Sequence, residues 1–229
     1  MFAPIASASE LQPGQRWSAR QYSMAIGHGS YRQVRLYVEN GSIACRYYEA
    51  AGTRSAVVWL GSVGGGFDSP AHDLFDRLAV ELIDRNVSSV RLRYRYANDL
   101  DASVEDALVA LEFLEQRGVE AAITVGFAFG GAVSIQAAAA SVLTKGVVGL
   151  ASQSAGTGGA NRISPRPLLL VHGDRDTILP PECSKLIYER ALDPKELVIL
   201  HGAGHCFDEV APELRDLLSE WITRHLDSR

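Results

Sequence analysis

From Ala56 onward, short apolar runs alternate with segments of helical period, and this alternation most constrains the fold. "AVVWL", "SSVRLRY", "AAITVGF", "GVVGLAS", "PLLLVHG" and "ELVILHG" each read as a strand, the continuous ones as strands covered on both faces. Between them, Ser69 to Asn86 places Leu74, Phe75, Leu78, Leu82 and Ile83 on one helical face, and Asp101 to Arg117 does the same with Val104, Leu108, Leu111 and Leu114, with Gly118 as a stop. Gly130 to Val142 is an alanine-rich helix, Pro181 to Leu192 is helical, and Val210 to Leu226 turns Leu214, Leu217, Leu218, Trp221 and Ile222 inward. Upstream, "QVRLYVEN" and "SIACRYYEA" flank Asn40-Gly41, a hairpin signal because both turn residues tolerate positive φ. A hairpin feeding repeated β-α units predicts one α/β domain over residues 1–229, with a mostly parallel sheet of about eight strands flanked by helices. The first 20 residues read as a loosely held, untargeted lead-in. "SQSAGTGGANRISPRP", between two strands, reads as the loosest internal piece.

Composition narrows the partners. The chain has 229 residues, 47% apolar and 21% charged, with net charge −5. There is no basic run to meet nucleic acid and no apolar run long enough to cross a bilayer. Cys45, Cys183 and Cys206 are scattered and form no C-x-x-C, which argues against a disulfide framework or zinc site and for a reducing, cytoplasmic setting. Neither G-x-G-x-x-G nor G-x-x-x-x-G-K-[ST] occurs, so no metal or organic cofactor is expected.

Functional groups of an open parallel sheet gather beyond the carboxyl ends of its strands, and four strand ends here carry chemistry. "GFAFGG" has glycines two before and two after Ala128, which a strained strand-to-helix turn requires; it also suits an ordinary tight turn. Asp174 and Asp176 follow "VHG"; a carboxylate there can orient a histidine, or simply cap the next helix. His205 lies on the glycine-rich loop after the last strand and suits general-base work, whereas His172 and His201 read as structural. "WLGSVGGGF" can point backbone N–H groups at a developing oxyanion, or be a flexible turn.

Taken in chain order, these four stretches resemble the α/β-hydrolases over nearly the whole chain. The short connection between the two strands before the acid leaves no room for a large cap, so the likeness is to the small dienelactone-hydrolase-like and esterase branches. The resemblance implies that Ala128 holds the nucleophile position and that Phe129 and Ser62, with Val63 as the lesser choice, supply oxyanion N–H groups. "HGDRDTILP" resembles H-G-x-x-D-x-x-x-P and selects Asp176 over Asp174; "GAGHCF" resembles G-x-x-H-x-F and selects His205. Phe127 and Phe129 would give the pocket an apolar wall, with Tyr94 or Tyr96 at an edge.

Ala128 departs from that pattern. Alanine cannot form an acyl-enzyme, so the chain as written is expected to be nearly inactive as a hydrolase, retaining on the order of a thousandfold over water. Three readings follow. The first is an ester, lactone or thioester hydrolase with serine changed to alanine. The second is a natural small-molecule binder without turnover. The third is a lyase or cofactor-free oxygenase type in which the Asp–His pair abstracts a proton. None of the other candidates replaces the nucleophile: Cys206 neighbours His205 and would have to fold back on it, Cys183 falls on the helix after the acid loop, and Ser152 and Ser154, which follow a strand and could border the pocket, have no motif to support them.

Overall fold

The computed structural model describes residues 21–26 and 30–227. Their strands form one sheet: β1 (Gln21–Ile26), β2 (Arg32–Val38), β3 (Gly41–Tyr48), β4 (Ser55–Leu60), β5 (Ser88–Arg93), β6 (Ala121–Phe127), β7 (Thr144–Leu150), β8 (Leu168–Gly173) and β9 (Lys195–Leu200). The helices are α1 (Pro70–Glu81), α2 (Leu100–Gln116), α3 (Phe129–Ala140), α4 (Glu182–Arg190) and α5 (Ala211–Asp227).

The spatial order is β1-β2-β3-β5-β4-β6-β7-β8-β9. β1 to β3 run antiparallel, as does the β3–β5 pair, and every pairing from β5 through β9 is parallel. The chain leaves β4 through α1 to β5 on one side, then returns through α2 to β6 on the other. The strand order therefore reverses at β4, and the crevice beyond the ends of β4 and β6 is where such a sheet binds ligands.

Each face of the sheet has its own core. Ala56, Val58 and Leu60 of β4 point to the layer with α2 and α3, while Val57 and Trp59 point to the layer with α1 and α5. β6 is buried along its whole length and lies between β4 and β7. α3 is buried at all twelve positions, which explains its alanine: a helix enclosed all round has no room for larger side chains against the sheet.

The sheet expected to hold about eight strands has nine, "QYSMAI" forming β1 at the edge, antiparallel to β2. Three expectations are corrected. The hairpin turn is Glu39-Asn40, since Val38 pairs with Gly41; Gly41, at φ +121°, opens β3 instead of closing the turn. The 152–167 connection is packed: Thr157, Ala160 and Ile163 are buried, and Arg166 Nη1 donates to the carbonyls of Ala138 and Ser141 at 2.6 and 2.9 Å. The helix expected from Ser69 begins with a left-handed turn, Ala71, His72 and Asp73 having φ of 51°, 54° and 66°. The expected lead-in of residues 1–20 lies outside the described residues.

Candidate active site

β6 ends at Phe127 and α3 begins at Phe129, so Ala128 alone makes the turn. Its φ of 53° and ψ of −109° lie outside the regions open to L-residues. Ala128 N–H donates to Leu150 O at 2.8 Å, and its carbonyl accepts from Gly131 N at 3.1 Å and Gln153 N at 3.3 Å. The flanking glycines are sterically required. A Cβ on Gly126 would fall on the Gly130 carbonyl, and one on Gly130 would fall on the carbonyls of Leu60 and Gly61. The elbow is thus held between β7 and the end of β4.

On the β8–β9 side, His205 Nδ1 lies 2.7 Å from Asp176 Oδ2. Asp176 Oδ1 accepts from the amides of Ile178 and Leu179 at 2.8 and 2.9 Å. Burial pushes the Asp176 pKa up, but hydrogen bonds from His205 and these two amides outweigh it and hold the carboxyl below its ordinary value. With Nδ1 committed to a carboxylate, the His205 proton sits there and Nε2 is the free acceptor. The His205 ring lies 5.0 Å, centroid to centroid, from that of Phe127.

Behind Asp176, His172 is fully buried in β8. Its Nε2 is 2.8 Å from Leu179 O and 3.2 Å from Asp176 Oδ2, and its Nδ1 is 2.7 Å from Ser184 Oγ. Burial lowers its pKa, with the Leu179 carbonyl and Asp176 opposing, so the ring is neutral and braces the acid loop. Asp174 belongs to a different pair. It faces His201 Nδ1 at 3.0 Å and accepts from Gly202 N at 2.7 Å, on the surface, where the His201 side chain is 89% exposed. His201, read from sequence as structural, makes this exposed contact and no other hydrogen bond through its ring among the described residues.

On the β4 side, Ser62 N–H donates to Asp68 Oδ2 at 2.7 Å. Tyr94 donates its hydroxyl to Gly61 O at 3.1 Å and packs edge-on to Phe129 with 5.9 Å between centroids. Tyr96, the alternative edge residue, is half-exposed and approaches Asn40 instead. Phe127 and Phe129 are both buried, on opposite faces of the sheet, so they do not form one common wall. Val63 is half-exposed. Asp68 is the site residue that sequence reasoning missed.

The substitute nucleophiles fare poorly. Burial, then Asp208, Asp176 and Glu209, push the Cys206 thiol up, away from thiolate. Ser152 is buried against Gly131 with its hydroxyl given to Gln153 O. Cys183 lies in α4, after the acid loop. Among the described residues, no group of three His, Cys, Asp or Glu side chains is placed to hold a metal ion.

No family model matches this sequence, and no curated protein matches it. Solved structures do. The dienelactone hydrolase of Anabaena variabilis superimposes with TM-score 0.74 at 17% identity, over 86% of this chain and 99% of that one. Est1E of Butyrivibrio proteoclasticus gives 0.74 at 14% identity, over 86% and 99%. An alpha-beta serine hydrolase homologue of Coxiella burnetii gives 0.71 at 21% identity, again over 86% and 99%. At these identities the likeness is one of fold: the chain has the α/β-hydrolase fold, with a mixed, mostly parallel sheet and no large cap among the described residues.

Proposed function

We propose that this α/β-hydrolase-fold chain is built on the plan of an ester, lactone or thioester hydrolase, with Ala128 standing where the nucleophile would be. The observation that carries this reading is the Ala128 backbone. Such a conformation costs of order 1–3 kcal/mol in an L-residue, and nothing in packing an alanine calls for it. It does project a side chain off a strand–helix junction, which a hydroxyl would use.

In the hydrolase reading, a hydroxyl at position 128 would give its proton to His205 Nε2 and attack the acyl carbon. Asp176 would fix the tautomer and stabilise the imidazolium, and the Phe129 amide at the start of α3 would meet the oxyanion. His205 would then return the proton to the leaving oxygen, or to the sulfur of a thioester, and water would repeat the sequence to release the acid. The ligand is a small ester, lactone or thioester, a class that suits a site without a large cap, and the three free cysteines suit the cytoplasm.

Ala128→Ser tests this. The variant is expected to hydrolyse p-nitrophenyl acetate and to be labelled by a fluorophosphonate, with His205→Ala in that background abolishing both. A folded Ala128→Ser protein that does neither, over a panel of esters and lactones, defeats the reading.

One observation favours a second, non-hydrolytic reading: the Ser62 amide is already bonded to a carboxylate. A site so arranged suits a small-molecule binder, or proton abstraction by the His205–Asp176 pair. Turnover by the alanine form that is lost in His205→Ala would distinguish the last of these.

A further inference from the structure

Ser62 N–H is the amide that sequence points at an oxyanion, yet it donates to Asp68 Oδ2 at 2.7 Å. The other oxygen, Oδ1, is buried and has no hydrogen-bond partner among the described residues. It lies 2.9 Å from where a Cβ on Gly61 would stand. Gly61 in turn abuts the elbow, because its carbonyl is what a Cβ on Gly130 would strike, and that carbonyl accepts from Tyr94. Gly61 thus has Asp68 on one side and the start of α3 on the other. A buried acceptor left without a donor is costly and needs an explanation.

The chain around Asp68 is fastened on both sides. The buried Arg91 donates to Phe67 O just before it. Ser69 Oγ, just after it, accepts from Phe75 N at 2.8 Å. The left-handed turn at Ala71–Asp73 follows, and Ala71 N–H is tied to Cys206 O at 2.7 Å, beside His205. Three consecutive L-residues at positive φ are expensive, and here they deliver Asp68 to the loop after β4 and join that segment to the histidine loop.

We infer that Asp68 is a specificity-determining residue of this site: it occupies the Ser62 amide in place of an oxyanion and offers its buried Oδ1 to a hydroxyl or amide N–H of a neutral ligand. The inference rests on the reading of the elbow as a ligand site. An oxyanion forming beside Ser62 would meet a like charge at contact distance, whereas a donor group would complete the hydrogen bonding that Oδ1 lacks. The loop therefore selects ligands opposite in polarity to those a hydrolytic transition state requires.

Two measurements test it. In the Ala128→Ser background, Asp68→Asn is expected to raise kcat for p-nitrophenyl acetate about tenfold or more, with KM changed by less than about twofold, because the repelling charge is gone from the oxyanion position. A residue with only a structural role would lower kcat, so an unchanged or lower kcat in the folded double variant overturns the inference. If Ala128→Ser is silent with and without Asp68→Asn, the hydrolase reading falls and the inference is decided in the Ala128 protein. There, acetamide and acetate are titrated while the Ser62 and Phe129 amide resonances are followed. Acetamide is expected to shift them and acetate not to, with Asp68→Asn reversing the order. Equal response to both, acetate binding more strongly, or no shift with either overturns it.

Discussion

The two flanks of the elbow are made differently. On the β8–β9 flank the acid is fully bonded and only His205 Nε2 is left open: Asp176 holds His205 and two amides, and His172 is satisfied behind it. The backbone there is held by short loop bonds such as Arg175 N–H to Ala203 O at 3.0 Å. On the β4 flank the loop bends back on itself, leaves a carboxylate oxygen unpaired, and is followed by a left-handed turn. A flank whose acid is fully bonded keeps its geometry in every state; one that is strained and incompletely bonded is where ligand binding has free energy to gain.

That contrast can be broken first at Asp176. In the Ala128→Ser background, Asp176→Asn is expected to cut kcat by about 10³–10⁴, since an amide there allows the wrong histidine tautomer; steady-state ester hydrolysis reads it, and a loss below tenfold would mean that the acid does not orient His205. Next comes the point where the flanks meet. Gly130→Ala drives a Cβ into the carbonyls of Leu60 and Gly61 and is expected to cost about 3 kcal/mol or more in urea unfolding, because both neighbours are backbone.

Acid sharpens the comparison on the β8–β9 flank. The folded pKa of Asp176 lies below its ordinary value, so its ionised form stabilises the fold at pH above the ordinary aspartate range. That contribution is lost as pH falls through the ordinary value and then the lower folded one. The stability difference between the Ala128 protein and its Asp176→Asn variant is therefore expected to be largest near neutrality and to shrink toward pH ~3. Denaturant titrations at several pH values measure it, and a gap that widens with acid would refute the assignment. The smallest effect belongs to the other flank. His72 is at φ 54° with an exposed side chain, so His72→Gly should relieve left-handed strain and raise stability by about 0.5–1 kcal/mol in thermal unfolding.

How much of this was legible in the sequence differs between the flanks for a physical reason. The elbow declares itself because its steric demand is local: Gly126 and Gly130 must lack Cβ atoms, and their spacing from Ala128 says so. Asp176 and His205 stand at strand ends, where the alternation of apolar runs already points. Asp68 gives no such sign. Its meaning depends on a loop folding back six residues to Ser62, and a glycine-rich stretch reads as open backbone. "PAHD" gives only a faint sign of a left-handed turn, since histidine and aspartate tolerate positive φ better than most residues but alanine does not; contacts with Cys206, Arg77 and Arg91 hold it. The 152–167 segment misled in the opposite direction. Its Gly, Ser and Pro content suggested looseness, but Arg166 and buried Ile163 anchor it.

Arg166 has an effect at a distance. α3 has no acidic residue in its first turn and no basic one in its last, so its own side chains leave the helix dipole uncompensated. The guanidinium of Arg166, reaching in from the β7–β8 connection, sits on the carbonyls of Ala138 and Ser141 and supplies a countercharge at the carboxyl end alone. The positive end, at Ala128, has none from the helix itself, and burial there leaves little water to screen it. The turn is thus an electrode of fixed sign whatever residue occupies position 128. A dipolar group brought to that turn would be aligned by this field, its negative end toward α3, before it met any reactive atom.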